Sequence, residues 1–196
     1  MRILKNLTDY VDKDLSVVNV KGKFYRTNPD FNPSVIVPQS FGLQFREDSY
    51  NQVIAQAIKD SRDIFGEDIP AVVEKPFKEC LERIGETCFY CFGESYEEYS
   101  GSILFSQKGS DWVYKEAEKR INELELNKQR IIYIGHPAHM QRLVSIAKKL
   151  GFNGVPFISN KVEWAKNDSQ LWVKSKYLWT PREIPTRVHH TIKGIA

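Results

Sequence analysis

Between Ser34 and Ile158 the chain alternates short apolar runs with longer amphipathic segments. Ser34-Val35-Ile36-Val37-Pro38 reads as a strand, and a polar turn follows from Gln39 to Asp48. Val53, Ile54, Ala57, Ile58 and Phe65 then recur at the spacing of one helix face. Ser49-Tyr50-Asn51-Gln52 has the form of a capping box in front of that stripe, in which the serine hydroxyl accepts from a free backbone N–H and the glutamine reaches back. Ile69 to Val73 predicts a short strand. Pro76 suits the first turn of a second helix carrying Phe77, Cys80, Leu81 and Ile84 and ending at Gly85. Thr87 to Phe92 reads as a buried strand, and Ser110 caps a third helix with Val113, Ala117, Ile121 and Leu124 on its apolar face. Arg130 to Ile134 predicts another strand. Met140, Leu143, Val144, Ala147 and Leu150 mark a fourth helix, and Val155-Pro156-Phe157-Ile158 reads as the last strand.

Strands alternating with helices at this spacing predict a parallel sheet covered on both faces, with right-handed crossovers. The fold class is therefore α/β: a three-layer α/β/α Rossmann-like domain with a mostly parallel central sheet and a C-terminal helix. Residues 1–196 form one domain. Residues 1–33, weakly periodic, are an N-terminal extension that wraps the core or pairs at an edge. Residues 160–196 are an aromatic tail with a final helix. Thr180-Pro181-Arg182-Glu183 offers a capping threonine, a proline at the first helical position and a glutamate at the third, and Pro185 offers a second start. Val188, Ile192 and Ile195 supply its apolar face. The chain contains no internal repeat, low-complexity tract or clear linker.

Ligands of such folds bind outside the carboxyl ends of the strands. Three turns lie there: Gln39-Ser40-Phe41-Gly42, Gly93-Glu94-Ser95, and Gly135 to His139. The third carries the richest chemistry. His139 and Arg142 are three residues apart at a helix start and share a face. The free N–H groups and the positive helix end add to the arginine's charge, and a guanidinium grips phosphate or carboxylate through two parallel hydrogen bonds. His136 can serve as acid, base or donor, and Glu94 beside a histidine would complete an acid–base pair. Gln39 and Asn51 can bind polar groups of a ligand. The same residues admit structural roles: His139 as a helix cap, Arg142 in an ion pair, Glu94 as a solvated loop acid, and Asn51 satisfying its own helix.

Composition narrows the function classes. A chain of 196 residues with 41% hydrophobic and 27% charged residues suits one globular core. A net charge of +3, with no basic run longer than two residues, does not suggest a nucleic-acid polymer as partner. No apolar run approaches the roughly 20 residues of a bilayer span, and charges interrupt Met1 to Leu15, so no signal-peptide core is expected. A cytoplasmic protein without a membrane span is the expectation. Cys80, Cys88 and Cys91 give an odd count and no disulfide framework. Cys88 and Cys91, three apart in a strand, point to opposite faces, which favours packing over metal or redox chemistry. Phosphate-loop, dinucleotide, zinc-protease and nucleophile-elbow motifs are all missing. Trp172 and Trp179 can stack on a base or seal the tail against the sheet.

Ile132-Tyr133-Ile134-Gly135-His136-Pro137-Ala138-His139-Met140-Gln141-Arg142 resembles the strand-turn-helix of the SanA/ElyC/YdcF-like proteins, with their His-x-x-Arg and a helix ending in Leu-Gly. The Gly42 turn, the Asn51 helix, Ser169-Gln170-x-Trp172 and Trp179-x-x-Arg182-Glu183-x-x-x-Arg187-x-His189-His190 are similar as well, so the resemblance spans Ser34 to Gly194. It implies a Rossmann-like α/β/α domain of bacterial origin, in a group of unassigned activity associated with the cell envelope and its precursors. The chain departs from the group in lacking a membrane anchor. It also has Ser110-Asp111-Trp112 where the group carries Thr-x-Glu-Asn.

These readings converge on a small-molecule-binding protein whose ligand is anionic, a nucleotide or a phosphorylated precursor, with no cofactor identified. Catalytic candidates are His136, His139 and Glu94. Ligand-binding candidates are Gln39, Ser40, Gly42, Asn51, Gly93, Ser110, Arg142, Arg182 and Glu183, and no residue is assigned to a metal. The alternative is a non-catalytic partner-binding module that uses the aromatic tail, which predicts a large exposed aromatic patch. A metal-dependent hydrolase using His136, His139 and Glu94 is the weakest alternative, because zinc needs three well-placed ligands.

Overall fold

The computed structural model describes residues 17–20, 23–26, 31–42, 45–93, 110–157, 164, 166–168 and 173–181. Glu94, Arg182 and Glu183 therefore lie outside the described residues, as do Ser169, Gln170, Trp172 and the expected helix beyond 181. A hairpin, β1 (Val17–Val20) and β2 (Lys23–Arg26), pairs antiparallel as a separate two-stranded sheet. The central sheet holds β3 (Val35–Pro38), β4 (Ala71–Glu74), β5 (Phe89–Phe92), β6 (Ile131–Ile134) and β7 (Gly154–Phe157), all parallel. Its spatial order is β5-β4-β3-β6-β7. The chain winds outward from β3 in one direction, then returns to its other side with β6, so the topological switch point lies between β3 and β6.

Four helices complete the layers: α1 (Tyr50–Phe65), α2 (Phe77–Arg83), α3 (Ser110–Glu123) and α4 (Pro137–Lys149). Side chains alternate across the strands. Ile36, Ala71, Val73, Ile132 and Ile134 pack with Ile54, Ile58, Phe77 and Leu81 from α1 and α2. Val35, Val37, Val72, Ile131 and Tyr133 pack with Val113, Ala117, Leu143 and Ile146 from α3 and α4. Two cores on two faces of one sheet make the expected three-layer α/β/α arrangement. Among the described residues, no helix is long and apolar enough to cross a membrane.

Local chemistry sets the element ends, with several corrections to the sequence reading. Ser49 Oγ accepts from the Gln52 N–H at 3.4 Å, but the capping box is not reciprocal. The Gln52 carboxamide instead donates to the Cys80 carbonyl at 3.1 Å and accepts from Arg83 at 2.8 Å, tying α1 to α2. Gly85, at φ +77, follows α2 in the left-handed conformation expected of a terminating glycine. β5 is an edge strand with only Phe92 buried, rather than a buried strand, because no strand pairs beyond it. All three thiols are free; Cys80 is the buried one, while Cys88 precedes the strand and is half-buried like Cys91. Thr180 is not a helix cap. A helical segment at 176–181 starts earlier, with Ser175 Oγ accepting from the Leu178 N–H at 3.3 Å and Thr180 Oγ1 donating back to the Lys176 carbonyl.

Arg62 braces the amino-terminal rim of the sheet. It is buried on α1, donates to the Ile69 carbonyl at 2.8 Å and to the Cys88 carbonyl, and pairs with Glu86. Those acceptors lie in the segments leading into β4 and β5. Burial lowers the guanidinium's pKa, and the short hydrogen bonds compensate for the lost solvent.

Gly154 pairs with Ile131, and a Cβ at this position would overlap the Ile131 carbonyl. Gly154→Ala is expected to lower stability by about 2–3 kcal/mol, because the clash is with paired backbone that cannot move aside cheaply. Urea unfolding of the two proteins measures the difference. Burial pushes the Cys80 thiol from its ordinary 9.0 up to about 11, with Arg83 pulling weakly the other way. The folded state therefore holds a proton that the unfolded chain releases near pH 9, so stability is complete below that pH and falls as pH rises towards about 11. The Tyr133 and Tyr114 hydroxyls, also raised by burial, act with the same sign. Denaturation curves across this window should show a shallower decline for Cys80→Ala than for the unaltered protein.

Candidate functional site

The β3–β6 pairing brings two turns together at the carboxyl rim. Pro38 pairs with Ile134, and the Gln39 N–H donates to the Ile134 carbonyl at 2.8 Å, extending the ladder one residue further. Gln39, Ser40, Phe41 and Gly42 then leave β3 beside Gly135 and His136 leaving β6. Gly135 is tightly placed, since a Cβ there would meet Leu143 of α4 and approach Gln39. Gln39 is buried, and its carboxamide oxygen has no hydrogen-bond partner among the described residues.

His136, fully buried, is the N-cap of α4: its Nδ1 accepts from the Ala138 N–H at 3.1 Å. An accepting Nδ1 makes the ring neutral, with its proton on Nε2. The ring stacks on Phe41 at 3.8 Å between centroids and 9° between planes, with Tyr50 and Trp164 each at 4.7 Å. The helix cap thus belongs to His136 rather than His139, and Pro137 occupies the first helical position, where no N–H is needed.

His139 and Arg142 occupy the first turns of α4. The Arg142 guanidinium donates to His139 Nε2, and Ser110 Oγ, at the start of α3, lies 3.0 Å from the same nitrogen. Trp179 closes over both, edge-on to His139 at 5.4 Å and with the Arg142 guanidinium 5.6 Å from its ring centre. This places Trp179 against the sheet rim, the sealing role anticipated for it. Little of the site is open to solvent: His139 is 5% exposed, Arg142 6% and Ser110 6%. The Ser110 hydroxyl is directed to His139, a use that the capping assignment missed.

Asn51 lies at the start of α1, and its Oδ1 accepts from the Phe41 N–H at 2.8 Å. It thereby braces the β3 turn, a structural use different from satisfying its own helix. The Ser40 N–H donates to Glu74 Oε1 at 3.2 Å. Gly42, at φ +85, lies where any Cβ would run into the Asp168 carboxylate, so this position needs both glycine's conformational freedom and its missing side chain. Gly93 also sits in a left-handed turn, covered by the Trp112 ring.

Two buried acids, Glu74 at the end of β4 and Asp168 in the tail, belong to this rim and escaped the sequence reading. Glu74 left a usable signal, an acid ending the apolar run Ala71-Val72-Val73. Asp168 left none, because nothing local distinguishes it from a solvated loop acid. Among the described residues, no group of three or more His, Cys, Asp or Glu side chains could hold a metal ion.

The rim therefore combines a guanidinium, two neutral imidazoles, a serine hydroxyl and two carboxylates within a wall of Phe41, Tyr50, Trp164 and Trp179. Such a set can bind an anion while the acids accept from hydroxyl or amino groups. Comparisons with protein-family profiles, curated proteins and solved structures find no match for this chain.

Asn51→Ala would leave the Phe41 N–H buried without its acceptor. The expected loss is about 1–3 kcal/mol. Hydrogen exchange should report faster opening at the Phe41 amide, with little change at the amides of β5.

Proposed function

We propose that the protein binds an anionic small molecule, a nucleotide or a phosphorylated precursor, at the carboxyl rim of its parallel sheet. Arg142 holds the anion, with His139 beside it. The acids Glu74 and Asp168 select ligands that also carry hydroxyl or amino groups, and Glu94, Arg182 and Glu183 extend the site. The observation that carries this reading is the position of Arg142: a buried guanidinium in the first turns of a helix, next to the switch point between β3 and β6. The same position suits membership of the SanA/ElyC/YdcF-like group, and the short apolar runs suit a bacterial cytoplasmic protein.

The second reading, a non-catalytic partner-binding module, draws on Tyr177 and Leu178, adjacent and exposed on the 176–181 segment. Trp179 beside them is buried, which leaves a smaller aromatic surface there than an interface of that kind would use.

A thermal-shift screen of inorganic phosphate, nucleotides and sugar phosphates, followed by calorimetry, tests the first reading. At least one phosphate compound should raise the melting temperature. Arg142→Ala should weaken that compound's binding about 10- to 100-fold, the contribution of a charge-assisted bidentate contact. Absence of any shift, or undiminished binding by Arg142→Ala, overturns the anion site.

A further inference from the structure

We propose that Ser110 is a nucleophile, with His139 as its base, and that the substrate class is a phosphate ester held by Arg142. The inference rests on the anion-binding reading and adds a reaction to it. Its foundation is the shared nitrogen. Arginine can only donate, so His139 Nε2 accepts from Arg142, and the ring is neutral with its proton on Nδ1. The Ser110 hydroxyl at 3.0 Å from that nitrogen must then donate to it as well. The serine proton points at a base, and the oxygen's lone pairs point away from it, the arrangement of an activated serine nucleophile. The pair comes from the first turns of two helices, 29 residues apart, and is buried.

Geometry also selects the substrate. Ser110 Oγ and the Arg142 guanidinium contact one nitrogen, so at most two hydrogen-bond lengths separate them. A phosphoryl group gripped by the guanidinium lies beside Oγ without further movement of the chain. Before binding, the guanidinium competes with Ser110 for the Nε2 lone pair. Once phosphate oxygens take the guanidinium, the lone pair is left to Ser110 alone, so anion binding itself releases the base. Trp179, packed against both His139 and Arg142, keeps water from the pair.

In the first step Ser110 Oγ attacks phosphorus. An O–P bond forms, the ester P–O bond breaks, and the serine proton passes through His139 Nε2 to the departing alkoxide. Arg142 neutralises the charge on the equatorial oxygens. In the second step water attacks phosphoserine and gives a proton to His139. Inorganic phosphate leaves, and the serine oxygen recovers its proton.

A fluorophosphonate probe, which loses fluoride to a serine oxygen in the same displacement, tests the assignment on the full chain. Peptide mass spectrometry of the unaltered protein should locate one adduct, on Ser110. The labelling rate should fall on the order of 100-fold or more in His139→Gln, the usual contribution of a general base. Ser110→Ala should abolish the adduct while still binding inorganic phosphate by calorimetry. Mapping on the unaltered protein decides the matter even where a variant fails to fold. An unlabelled Ser110, or one labelled equally fast in His139→Gln, overturns the nucleophile; in either case phosphate binding that persists leaves the anion site standing. Labelling of Ser110 without phosphate binding supports the nucleophile and overturns the anion site.

Discussion

The parallel pairing of β3 with β6 is the constraint on which the rest of this structure depends. These two strands are neighbours in space but are separated in sequence by two helix–strand units and the segment leading into α3. Their in-register ladder, from Val35 with Ile131 to Pro38 with Ile134, ends both strands at one level. The turn after β3 runs towards α1, and the turn after β6 runs into α4. The two helices lie on opposite faces of the sheet, so the turns diverge and leave a crevice between them. The side chains of interest line that crevice or its immediate neighbours.

Packing divides labour between the two histidines of the α4 turn. His136 is committed to structure. One ring nitrogen caps the helix, and its face lies flat on Phe41, so Phe41 links α1, through Asn51, to the start of α4. His139, one turn further on, is aimed at α3 and at the guanidinium. Reactive potential therefore gathers at His139, and His136 supplies the rigid platform that holds α4 at the required angle.

The sheet also treats its two rims differently. At the amino-terminal rim Arg62 is fully engaged, donating to two backbone carbonyls and a carboxylate, and serves to brace the segments entering β4 and β5. At the carboxyl rim Arg142 shares a histidine nitrogen and lies near an indole face. Both arginines are buried, but the first has anionic and carbonyl oxygens around it, while the second faces groups that an incoming anion could replace.

The order of strands and helices, the apolar faces of α1 to α4, and the position of the α4 turn were legible in the sequence. Those properties are set by residues close together along the chain: periodicity, caps and breakers act over a turn or a strand. The hairpin at Val17–Arg26 and the edge position of β5 were not legible, because exposure depends on which strand lies alongside, and periodicity does not identify that neighbour. The same division holds in the site. His136, His139 and Arg142 stand out as a local cluster, and Ser110 as a serine at a helix start. Tertiary structure alone decided that His136 and not His139 is the cap, that the Ser110 hydroxyl turns to His139 instead of the backbone, and that Glu74 and Asp168 share the rim. Each of these outcomes is a contact between segments distant in the chain, and its partner is fixed only when the sheet order brings those segments together.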